Sequence, residues 1–208
     1  MMQFLFSRRS RSICLSGVLT ATVAALGASS APAAATTPVD TSACSAPQLT
    51  QAFLPIHDSN WYTLVPGQAA GSFNGNGWTL SGGAQIASSS LSGDAPSSVL
   101  DLPSGSSAIS PPMCVSTDFP TARTMVRDVA GSEGVHISVA YAGTKTADQP
   151  QNVGQVHGKQ SAWTASNPFS VHPGNLPGWQ LVQFTLTAGG KSSDFQIYNF
   201  WVDPRMGR

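Results

Sequence analysis

The chain has 208 residues, enough for one domain with a substantial core, and its 10 basic side chains balance 10 acidic ones. Only 10% of residues are charged, well under the usual quarter, so the surface must be covered by Ser, Thr, Gly, Asn and Gln. No basic cluster is present to track a phosphate backbone, which excludes nucleic acid as an expected partner.

The N-terminus reads as a targeting segment. Arg8, Arg9 and Arg11 form a basic region and Ile13 to Leu26 an apolar run, and either Ala31-Pro32-Ala33 or Ala33-Ala34-Ala35 offers a small-residue cleavage site. The run is too short for a membrane span, so no transmembrane segment is expected. Ser7-Arg8-Arg9 resembles a twin-arginine signal, but Arg11, Ser12 and Ile13 follow where an apolar pair belongs, and the general secretory route fits better. The expected organisation is a signal peptide over 1–33, with 35 as the alternative cleavage point, a disordered leader over 34–43 and one domain over 44–208. A secreted location follows from it. Removing the three signal arginines leaves 7 basic against 10 acidic groups, 7 − 10 = −3.

Cys14 lies inside the signal, which leaves Cys44 and Cys114. In an oxidising compartment such a pair forms one disulfide, tying the start of the domain to its middle.

Gln48 to Leu54 has weak helical or extended character and ends at Pro55. Short strands are predicted at Trp61 to Val65, Trp78 to Leu80 and Ala84 to Ser88, the last two joined by Gly82-Gly83 as a hairpin. Val99 to Leu102 is a strand, Ser104 to Ser110 a polar loop, and Met113 to Val115 a strand resuming after Pro111-Pro112. Thr124 to Ala130 alternates. Gly134 to Ala142 alternates more clearly, with Val135, Ile137, Val139 and Tyr141 inward and His136, Ser138 and Ala140 outward, or the reverse if the outer face of this sheet is the liganded one. Within the polar tract from Lys145 to Asn175, short strands are expected near Gly154 to His157 and Ala162 to Thr164.

Trp179 to Thr187 turns Val182, Phe184 and Leu186 to the core. The last strand, within Ser193 to Arg208, alternates Phe195, Ile197, Asn199 and Trp201 against Gln196, Tyr198, Phe200 and Val202. Both faces are largely apolar, so this strand belongs in the middle of a sheet. Eight to ten short strands with many Gly and Pro turns make an all-β protein, a two-sheet antiparallel sandwich and most simply a jelly roll.

The runs Gly75 to Ile86 and Ser97 to Val115, with the ending Trp201-Val-Asp-Pro-Arg, resemble a group of secreted actinobacterial proteins of unknown function. That group in turn resembles the galactose-binding-like jelly rolls of many carbohydrate-binding modules. The similarity extends from about Cys44 to Arg205. It implies a calcium site at the positions of Asn74, Asn199 and Asp203, but two amides stand where those modules carry carboxylates. A hard cation wants six or more oxygens and usually net negative charge from its cage, so neither metal nor cofactor is expected.

For enzymatic chemistry the chain offers no nucleophile elbow, no metal-ligand spacing and no phosphate-cradling loop. His57, His136, His157 and His172 are scattered and read as solvated. A glycosidase built from two carboxylates is the remote alternative. Sugar recognition needs aromatic faces flanked by polar groups. Trp163 and Trp179 either form such a platform, with Asn175 nearby, or cap the ends of the sandwich, and Tyr141 either faces a groove or packs in the core. Trp78 and Trp201 read as core, and Trp61 is ambiguous. Asp203, at the end of the last strand, is placed either to pair with Arg123 or Arg127 or to accept backbone donors that pin the strand. A glycan or cell-wall polysaccharide is therefore one expected partner, and a structural or protein-interaction domain is the other reading. Oligomeric state is not legible.

Overall fold

A computed structural model of the protein describes residues 41, 42, 44, 47–88, 96–115, 121–142, 150–160, 162–171 and 179–203, the side chain of Asp203 excepted. The expected signal peptide, most of the leader, His172 and Asn175 lie outside the described residues.

The elements are a 3₁₀ turn at Leu54–Ile56 and thirteen strands: β1 Thr63–Leu64, β2 Thr79–Ser81, β3 Gln85–Ser88, β4 Ser98–Pro103, β5 Ser107–Ile109, β6 Met113–Val115, β7 Thr121–Ala130, β8 Val135–Tyr141, β9 Gln151–Val156, β10 Thr164–Ala165, β11 Phe169–Ser170, β12 Gln180–Ala188 and β13 Asp194–Asp203. They form two antiparallel sheets with no α-helix among the described residues, the all-β sandwich expected of a jelly roll. No helix among those residues is long and apolar enough to cross a membrane.

One sheet runs β10-β7-β13-β4-β3, and the other β2-β5-β12-β8-β9. Edges are shared by short strands. β4 pairs with the first half of β13 and β1 with its second half, while β6 and β5 divide β12 in the same way. β13 thus lies inside its sheet between β7 and β4, where its two apolar faces can be covered. Between the sheets, Val135, Ile137 and Val139 of β8 and Val182, Phe184 and Leu186 of β12 meet Phe195, Ile197, Phe200 and Val202 of β13 in one buried cluster. The rings of Phe184 and Phe200 meet edge to face at 4.9 Å.

Three expectations are corrected. Gly82 and Gly83 do not close a hairpin: β2 pairs with β5 in one sheet and β3 with β4 in the other, so the chain changes sheets at this turn. Gly82 has φ +64°, and a Cβ there would lie 2.9 Å from the Gly105 carbonyl oxygen and Ser106 Cα. The stretch Ser104 to Ser110 is not only a loop, because Ser107–Ile109 is β5, whose Ala108 is wholly buried.

The strict alternation of β13 also fails. An extra residue sits between Tyr198, opposite Met125, and Trp201, opposite Arg123. Asn199 adopts φ +52° there, a left-handed conformation that Asn tolerates better than most residues. The bulge flips the phase, so Phe200 and Val202 continue the inward face of Phe195 and Ile197, and Trp201 turns to the opposite side.

Candidate binding groove

Beyond the bulge, β13 presents Trp201 to the outer face of its sheet, where it joins Phe53 and Tyr62 in a second, smaller buried cluster with Met125 and Ala165 at its margin. The 3₁₀ turn roofs this cluster, and Phe53 packs edge to face on Tyr62 with ring centroids 5.0 Å apart. Arg123 of β7 clamps the roof. Its guanidinium pairs with Asp58 and lies 4.8 Å from the centre of the Phe53 ring, and its Nε donates to the Ser166 carbonyl at 2.9 Å. Burial works against the charge on Asp58, but the Tyr62 hydroxyl, the Asn60 amide and Arg123 together outweigh it and hold the carboxyl below its ordinary value.

Between this roof and the strand β10 lies a groove of about 590 Å³, within the range of small-ligand sites. Trp163 and Tyr198 form one flank, packed edge to face at 4.6 Å, and Phe53, Met125 and Trp201 contribute to the lining. A row of polar side chains set by strand register supports Trp163 from behind. Gln85 donates to Asp101 at 3.1 Å, Gln196 donates to Asp101 at 2.9 Å, Arg127 donates to Gln196, and the Arg127 guanidinium stacks 4.9 Å from the Trp163 ring centre. Beside this row, burial pushes the Asp194 carboxyl above its ordinary value; Asp101 adds to the effect and Arg127 opposes it.

Lys159, Thr164 and Asn199 supply the polar part of the groove. The Asn199 side-chain oxygen accepts from the Gly71 amide at 2.9 Å, which leaves its NH₂ group as a donor without a partner among the described residues. The Tyr198 hydroxyl and the Lys159 ammonium likewise have none, and the buried Trp163 indole N–H is unpaired.

Of the residues singled out from sequence, Trp163 is in the groove, half-buried, and Trp179 is not. The ring of Trp179 packs against the cluster between the sheets, so the two tryptophans form no common platform. Tyr141 faces no groove, because its side chain is buried and its hydroxyl donates to the Val171 carbonyl. Trp78 and Trp201 are buried, the Trp78 indole donating to the Pro66 carbonyl at 2.8 Å. Trp61 is the exposed one, at 44%.

Arg123 pairs with Asp58; the backbone of Asp203 pairs with Thr121, and its side chain, with the expected pairing to Arg123 or Arg127, lies outside the described residues. The expected disulfide joins Cys44 to Cys114. Of the three candidate calcium positions, Asn74 accepts from the Ser72 hydroxyl at 2.7 Å, Asn199 accepts from a backbone amide, and the side chain of Asp203 lies outside the described residues. Among the described residues no three His, Cys, Asp or Glu side chains come together as a metal site.

Phe53, Lys159 and Tyr198 were not singled out from sequence. Each stands in a different segment, and only the phase change at Asn199 brings Trp201 beside them.

No family model matches the sequence, and no curated protein matches it. Among solved structures the chain is similar to the family 22 carbohydrate-binding and family 10 glycoside-hydrolase modules of endo-1,4-β-D-xylanase 10B from Clostridium thermocellum. The identity is 14% over 62% of this chain and 26% of that one, with a TM-score of 0.44. This chain therefore spans about a quarter of that protein's length. It is also similar to a variant of a family 29 carbohydrate-binding module, at 15% identity over 69% of this chain and 85% of that one, with a TM-score of 0.44. A third likeness is to the K2 cleaved adhesin domain of Lys-gingipain, at 17% identity over 61% of this chain and 90% of that one, with a TM-score of 0.41.

Proposed function

We propose that the chain is a secreted, non-catalytic glycan-binding domain whose ligand occupies the groove beside Trp163. The observation that carries this reading is the groove itself: aromatic side chains and unclaimed hydrogen-bond donors line one cleft of about 590 Å³. A pyranose ring presents an apolar C–H face that packs on an aromatic side chain, and its oxygens accept from amides, hydroxyls and ammonium groups at the margin. Secretion supplies the encounter with cell-wall or extracellular polysaccharide.

The test is a glycan array probed with the chain purified from the medium, with and without chelator, beside the variants Trp163→Ala, Tyr198→Ala and Trp179→Ala. Binding falls at least tenfold in the first two, survives in any Trp179→Ala protein that melts normally, and is unaffected by chelation. Silence across the array from a folded protein sinks the reading. Exposed Leu54, Ile56 and Trp61 then favour the second one, a protein-interaction domain.

A further inference from the structure

We infer that the groove selects a glycan bearing an anionic group, a uronate carboxylate or a sulfate ester, held by Lys159. The inference rests on the glycan-binding reading above and names what that site prefers. Among the described residues that line the groove, Lys159 is the one charged side chain and none is a carboxylate. Its ammonium has no ion pair or hydrogen-bond partner among the described residues. Of the charges around the groove, Asp58 and Arg123 pair with each other, Arg127 lies against the Trp163 ring, and Asp128 accepts from the Gly158 amide at 2.9 Å.

Among the remaining polar groups donors predominate. The Asn199 NH₂ and the Lys159 ammonium can only donate, and the Asn199 oxygen already accepts one bond, from the Gly71 amide. The Tyr198 hydroxyl adds a donor, and burial makes it less acidic than an ordinary phenol, so it keeps its proton. A neutral sugar offers hydroxyls, each of which donates as well as accepts. The Lys159 ammonium and the Asn199 NH₂ cannot take those hydroxyl protons, which leaves only the Thr164 and Tyr198 hydroxyls and the second lone pair of the Asn199 oxygen for them, whereas the oxygens of a carboxylate or sulfate accept only. Hydrogen bonds to a charged acceptor are the stronger kind, and one such contact corresponds to about tenfold in affinity.

The experiment uses an array in which polygalacturonate and glucuronoxylan stand beside their carboxyl-reduced forms, and chondroitin sulfate beside both its desulfated and its carboxyl-reduced forms, probed with the full secreted chain and with Lys159→Gln. Lys159 is exposed, so this variant keeps the fold. The expected result is binding about tenfold tighter to the acidic member of a pair, weakened by salt and reduced to within about threefold of the neutral member by Lys159→Gln. Loss on carboxyl reduction identifies a uronate, and loss on desulfation a sulfate ester. Tightest binding to neutral glycans, or an acidic preference that survives Lys159→Gln, overturns the inference and leaves the glycan reading standing. Binding to no glycan, acidic or neutral, overturns both.

Discussion

Asp58 is a small residue in a turn, yet it holds the roof of the groove in place. It accepts from Tyr62 at 2.6 Å and from the Asn60 amide at 3.1 Å, and it carries the charge that Arg123 needs beside the Phe53 ring. Its folded-state carboxyl titrates below the ordinary value of 3.8, so the stabilisation it supplies is complete above that value and is lost as pH falls through the lower, folded one. Asp58→Asn is expected to cost about 2 kcal/mol near pH 7, because it leaves a largely buried guanidinium with only the Ser166 carbonyl and the ring face. The difference between the two proteins should shrink as pH drops below about 4, where the carboxylate of the unfolded chain takes up its proton, and vanish once the native carboxylate does so at lower pH. Urea unfolding at a series of pH values reads both effects. A gap that stays constant down to about pH 2 would show that Asp58 acts through its shape rather than its charge.

At the scale of the element, β13 joins the fold to the groove through one extra residue. Its apolar surplus on both faces is visible in the sequence and places it correctly inside a sheet. The bulge is not visible, because both faces of the strand are largely apolar and an asparagine in line with Phe195, Ile197 and Trp201 does not interrupt the alternation. The sheet change at Gly82-Gly83 is hidden for a related reason: a glycine pair between two short strands states a turn, but which strands pair depends on burial far along the chain. Local pattern thus gives strand positions, and nonlocal packing decides partners and phase.

The bulge is testable. Asn199→Gly keeps the left-handed conformation and loses the bond to the Gly71 amide, an expected cost of about 1 kcal/mol. Asn199→Val adds a β-branched side chain at positive φ and should cost about 1–3 kcal/mol more. Equal denaturation midpoints for the two variants would mean that the strand repairs its register without the bulge.

For the whole molecule, the sandwich was legible because alternation, turn residues and an isolated cysteine pair are all written locally. The groove was not, since Phe53, Lys159, Trp163 and Tyr198 come from segments that meet only when the sheet is assembled. The disulfide belongs to this scale. Cys44 and Cys114, 70 residues apart, tie the segment leading to the roof onto β6, a strand of the sheet opposite to the one that segment later joins through β1. Closing a loop of that length in the unfolded chain corresponds to about 4 kcal/mol. For a domain of this size that amounts to roughly 10 °C in melting temperature. The double variant Cys44→Ser, Cys114→Ser should therefore melt lower by about that amount, and reduction of the native protein should reproduce the shift. Neither cysteine lines the groove, so ligand binding well below the melting temperature should survive. A double variant that melts with the native protein would show that Asp58 and Arg123 order the N-terminal segment unaided. One that melts normally and fails to bind would mean that the crosslink sets the position of the roof, and with it the width of the groove.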